Sequence, residues 1–245
     1  MPITQISPLR FEPASGPFAG STWTGETGVC PDPSCGCHNL DIEFRNGDKT
    51  QVLQVDVGNP VIRSNQETCD TAFSKTLSDE LDLPQLRLLH DEFYRLKKVL
   101  YADTDLTRLE YDFPYQEIEE KGLLIAYNRV FPLHQPMIFD AGGPFIATER
   151  YCVVPHCDCT KANAVFFRYD ANPGPNAAPL FEIDLDVEAG AWAFADCPPT
   201  AAATAIVEAF LNAFGYSLLG ERRRTLRDLY AWNRELFYLD LSPAN

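Results

Sequence analysis

Two cysteine-rich segments of identical spacing constrain this chain more than any other feature. CPDPSCGC (30–37) and CVVPHCDC (152–159) both read Cys, four residues, Cys, one residue, Cys, with Pro two residues before the second Cys. Cys30, Cys35 and Cys37 thus correspond to Cys152, Cys157 and Cys159 at a constant offset of 122. The correspondence extends both ways. Upstream, PLRFEPASGPF (8–18) resembles PMIFDAGGPF (136–145). Downstream, QVLQVDVG (51–58) aligns with PLFEIDLDV (179–187), placing Asp56 with Asp184 and, at the same offset of 128, Cys69 with Cys197. LHDEFYRLKKVLY (89–101) meets LRDLYAWNRELFY (226–238). A motif that recurs together with its flanks marks internal duplication.

Each copy has its own secondary-structure signals. LDIEF (40–44) and VLQVDV (52–57) alternate apolar and polar residues around Asn46-Gly47-Asp48, which predicts a hairpin. In the second copy AVFFRYD and LFEIDLDV flank the longer turn ANPGPN (171–176). A helix is expected just after the fourth cysteine, over 70–81 and 198–214, with Pro198 and Pro199 in its first turn. A second, amphipathic helix covers 85–101 and 220–238. The expected fold is therefore α+β and duplicated: zinc-binding unit 8–101, connector 102–135 with a strand in GLLIAYNRVF, and zinc-binding unit 136–238. A pseudo-twofold packing of the two units is compatible with this pattern.

The cysteines read as metal ligands because their number and grouping leave none over. Cys30, Cys35, Cys37 and Cys69 form one expected quartet; Cys152, Cys157, Cys159 and Cys197 form the other. Cys-x-Cys joined through a Pro-containing turn can curl three sulfurs around one point, and the fourth would come from a helix start. Tetrahedral sulfur suits zinc, with iron–sulfur chemistry, disulfides and free thiols as alternatives. Knuckle, hairpin and helix in this order resemble a treble-clef zinc module in topology, although the ligand spacing differs. His38 and His156 border the motifs, but their counterparts are Thr160 and Ser34, so neither recurs as a ligand. The expected cofactors are two Zn2+ ions in closed, structural shells of four cysteines, each too rich in thiolate to be a strong Lewis acid.

Charge and absent motifs bound the function. The net charge of −15, or −15 − 4 = −19 with two filled four-thiolate sites, argues against nucleic acid and anionic membranes. There is no run of eighteen apolar residues and no basic leader at the N-terminus, so a cytoplasmic protein without a membrane span is expected. Gly-rich phosphate loops and nucleophile elbows are missing. The leading expectation is a non-catalytic zinc protein that presents a surface to another protein. Its alternatives are an enzyme or small-ligand receptor with a non-metal site between the units, and a metal or redox sensor. Candidate ligand-binding residues are Asp56 and Asp184 on the second strands, and Arg222, Arg223, Arg224 and Arg227, whose guanidinium groups could hold a phosphate or an acidic peptide.

Overall fold

The computed structural model describes residues 3–6, 9–58, 61–64, 68–169, 178–195 and 200–240. It is a mixed α+β structure dividing into two units, Met1–Asp103 and Thr104–Asn245. The expected turn ANPGPN, Pro198, Pro199 and Cys197 lie outside the described residues.

The first unit is a six-stranded antiparallel meander followed by two helices. Its strands are β1 (Ile3–Ile6), β2 (Leu9–Phe11), β3 (Trp23–Val29), β4 (Asn39–Asn46), β5 (Lys49–Asp56) and β6 (Val61–Ser64), paired in chain order. Leu40, Ile42 and Phe44 of β4 are buried while Asp41 and Arg45 are exposed, the two-residue period of a sheet covered on one face. The cover is α1 (Thr71–Glu80) and α2 (Leu83–Asp103). Asp70 caps α1 by accepting from the Ala72 N–H at 2.7 Å. Phe73 then enters a ring cluster, 4.7 Å from Trp23, 5.5 Å from Phe44 and 5.7 Å from Phe11.

The β4–β5 hairpin forms as expected, with its turn inside Asn46-Gly47-Asp48. Asn46 pairs with Lys49, so the two-residue loop is Gly47-Asp48. Only Gly47 takes a positive φ, +56°, and the Asn46 side chain instead donates to the Thr22 carbonyl.

The second unit contains α3 (Tyr115–Lys121), β7 (Ile125–Ala126), α4 (Tyr127–Val130), β8 (Met137–Asp140), β9 (Pro144–Tyr151), β10 (Lys161–Arg168), β11 (Phe181–Asp186), β12 (Ala191–Phe194) and α5 (Ala201–Asp240). The sheet runs β12-β11-β10-β9-β7, with β8 also paired to β9. Segment 104–135 is built into this unit, since Ile125 and Ala126 pair with Tyr151 and Arg150. The strand expected there is two residues long and leads directly into α4. The two consecutive helices expected near the C-terminus are both present within Ala201–Asp240, and they meet at a non-helical break at Gly215 (φ 69°, ψ 162°). By length and composition Ala201–Leu236 could cross a membrane. Here its Val207, Phe210, Leu219 and Leu226 are fully buried, and Phe210 stacks within 5.6 Å of Phe139 and 5.2 Å of Phe166 of the sheet.

Candidate metal centres

Both units place a cysteine loop at the same point of a meander. In the first the loop joins β3 to β4; in the second it joins β9 to β10. The Sγ atoms of Cys30, Cys35 and Cys37 lie within 4.8 Å of one another, as do those of Cys152, Cys157 and Cys159. Sulfurs bound at about 2.3 Å to one tetrahedral ion sit about 3.8 Å apart, so each trio fits a shared ion. All seven described cysteines are free thiols.

Each loop is closed by the same backbone bonds. The Cys35 N–H donates to Asp32 O at 3.3 Å, and the Cys157 N–H to Val154 O at 3.2 Å. Val57 N–H reaches His38 O at 2.9 Å, as Val187 N–H reaches Thr160 O at 3.2 Å. In the first loop the Cys37 N–H also donates to the Cys35 sulfur at 3.4 Å, and in the second the Cys159 N–H acts on the Cys157 sulfur.

A second set of matched contacts comes from the helices. Lys97 of α2 is wholly buried and donates to Cys30 O at 3.1 Å and Asp32 O at 3.3 Å, and Tyr101 donates to Pro33 O at 2.8 Å. In the second unit Arg223 donates to Cys159 O, and Arg227 to Pro155 O at 2.5 Å and Cys157 O at 3.4 Å. Pro33 and Pro155 are equivalent in the repeat. Lys97 and Tyr101, like Arg223 and Arg227, stand four residues apart on one helix face. The helix thus fastens the loop by its carbonyls.

Thiol acidity within each trio is uneven. The Cys37 N–H, then the neighbouring thiols, lower Cys35, while burial and then Cys35 raise Cys37. Cys157 is lowered by the Cys159 N–H and neighbouring thiols; Cys159 is held up to about 12 by burial and by Cys157 and Cys152.

Cys69 does not join its expected quartet. The knuckle sits where Asn39 pairs with Asp56, whereas Thr68 O accepts from Val52 N–H at 2.9 Å and Asp70 N–H donates to Gln51. Val52 is four residues from Asp56 along β5, about 13 Å at roughly 3.3 Å per residue. Cys69 is buried at 4% exposure, with its sulfur 3.5 Å from Asp70 O, and burial raises its pKa. Among the described residues, each metal-ready group contains three cysteines; Cys69 is not in the first, and Cys197 lies outside the described residues.

The other candidate residues are placed as follows. Sheet register makes Asp186 the counterpart of Asp56: Asn39 faces Asp56, and Lys161, 122 residues after Asn39, faces Asp186. Each carboxylate accepts from the N–H two residues on at 3.1 Å, Gly58 and Glu188 respectively, so the shared geometry is a strand-end turn. Asp184 lies two residues away from this position and is exposed on β11. Of the arginines, Arg224 is exposed, and Arg223 and Arg227 serve the knuckle. Arg222 is 4% exposed, bonds Glu149 and Gln135 O, and lies 4.5 Å from the Tyr127 ring. Burial raises the Glu149 pKa against the pull of Arg222, pushes Tyr127 up to about 12, and lowers His134 to about 4.

Sequence reasoning misses Glu149, although the buried row Phe145, Ala147, Glu149, Tyr151 on β9 carries it at a period of two. It occupies the position equivalent to Thr27, three residues before the first cysteine. Thr27 donates to buried Glu92 of α2 at 2.8 Å, so both units tie strand to helix there with donor and acceptor exchanged. A polar cleft of about 200 Å³ lies beside the second knuckle, bordered by Glu188, Tyr216, Arg223 and Arg224. It is smaller than most small-molecule sites, which run from about 300 Å³ upward.

Comparison with protein-family models, with curated proteins and with solved structures returns no match to this chain.

Proposed function

We propose that each cysteine trio holds one zinc ion, that the two units descend from one duplicated zinc-knuckle module, and that the ions are structural. The observation that carries the reading is the convergence of three sulfurs at the same point of two similar meanders, each loop clamped by basic residues of its own helix. Three thiolates so close repel one another, by about 4 kcal/mol per pair near 4 Å at a surface-like dielectric, and a divalent cation reverses that cost. Zinc suits sulfur donors and needs no redox partner. On this reading the protein works through its surface. With a charge of −15 before thiolate ionisation, it would favour a protein partner with a basic or neutral face, in a reducing compartment such as the cytoplasm.

The test is metal analysis of the reduced protein, followed by chelation. Two zinc ions per chain are expected, with loss of far-ultraviolet circular dichroism on their removal. Iron with visible absorbance, or an unchanged fold after both ions leave, would refute the reading.

A further inference from the structure

The geometry of the first knuckle goes further than the presence of a metal. We infer that the Cys30–Cys35–Cys37 site holds its ion with three protein sulfurs and leaves the fourth coordination position to an exchangeable donor from solution, which a thiol occupies as thiolate. This rests on the metal reading given above.

Three observations support it. First, no described His, Asp, Glu or Cys brings a ligand atom within 4.8 Å of all three sulfurs. Second, Cys69, the obvious fourth candidate, is fixed elsewhere. Thr68 and Asp70, on either side of it, are hydrogen-bonded to Val52 and Gln51, and Asp70 also caps α1. Bringing its sulfur to the knuckle would break the cap, the backbone bond to Val52, the bond to the Gln51 side chain and the seating of Phe73, which is fully buried among four other rings. Third, Cys30, Cys35 and Cys37 are each partly exposed, whereas the backbone side of the loop is sealed by Lys97 and Tyr101. Solvent therefore reaches the cysteine cluster.

Zinc with three protein ligands takes water or substrate in the fourth position. Two features favour a soft anionic donor over water there. Three sulfurs make the ion itself soft, and the buried Lys97 ammonium offsets the added negative charge. The exchange balances simply: zinc-bound water leaves, the thiol binds through sulfur, and its proton passes to buffer. One proton is released per site filled.

The test uses reduced full-length chain carrying Co2+ in place of zinc, with 2-mercaptoethanol as probe. The proposal expects Cys69→Ala to bind two ions with the wild-type sulfur-to-cobalt charge-transfer intensity. It also expects the thiol to raise that intensity saturably in wild type, with one proton released per first site. The part of this response due to the first site must vanish in C30S/C35S/C37S. Loss of one sulfur's intensity, or of one ion, in C69A would make Cys69 the fourth ligand and overturn the proposal while leaving the metal reading intact. Should C69A not fold, the wild-type titration decides: no thiol response, or one undiminished in C30S/C35S/C37S, overturns it equally. Failure of wild type to bind any metal would instead remove the metal reading itself.

Discussion

Lys97 has no exposed surface, yet its ammonium is aimed at two backbone carbonyls of the cysteine loop. A buried lysine is costly to desolvate unless its donors are used, so the loop and the lysine hold each other in place. Lys97→Met keeps most of the stem volume and removes the donors. Urea unfolding of the zinc-loaded protein should show a loss of about 2 kcal/mol. The exposed neighbour Lys98 is the control, and Lys98→Met should stay within about 0.5 kcal/mol. Equal effects of the two changes would show that Lys97 carries no special load. The sequence displays such basic residues but not their acceptors, because a backbone carbonyl has no sequence signature. Arg222, Arg223 and Arg227 therefore look like an anion site in the sequence, and in the fold they are used on Glu149 and on the second loop.

Among the elements, the β4–β5 hairpin turns on a single glycine. Gly47 takes φ +56° with no atom within 4 Å of where a Cβ would project, so substitution there tests backbone conformation without a clash. Gly28 of β3 is equally open but extended. Gly47→Ala should cost about 1 kcal/mol in urea unfolding, while Gly28→Ala should be neutral or slightly stabilising. A reversed order would mean that the turn does not limit the hairpin. Zinc content should be unchanged in Gly47→Ala, since the turn lies at the far end of β4 from the knuckle. The hairpin is legible because alternation and Asn-Gly are local signals. Its register is not: which two of Asn46-Gly47-Asp48 form the loop goes with the Asn46–Thr22 contact, which is long-range. Cys69 is a similar case. Matching cysteines in the two halves suggest a fourth ligand, but the backbone bond between Val52 and Thr68 fixes where that residue sits.

Across the whole molecule, each unit has its own sheet, its own aromatic core and its own cysteine trio. The repeat is readable because ligand spacing is fixed by chemistry, while the loops between ligands vary in length. The strands β1, β6, β7 and β12 are short and lie outside the segments that the repeat marks. If each ion stabilises the unit that binds it, its removal should act locally. Structural zinc sites contribute about 10–16 kcal/mol, comparable to the roughly 5–15 kcal/mol that keeps a whole domain folded. C30S/C35S/C37S should therefore bind one zinc, lose amide-exchange protection over Asn39–Asp56 and retain it over β10 and β11. C152S/C157S/C159S should show the reverse. Loss of protection in both units from either variant would mean that the chain folds as one cooperative body. Retention in both would mean that the ions, where bound, do not hold the fold, and the role of the trios would then have to lie in the chemistry of the bound metal.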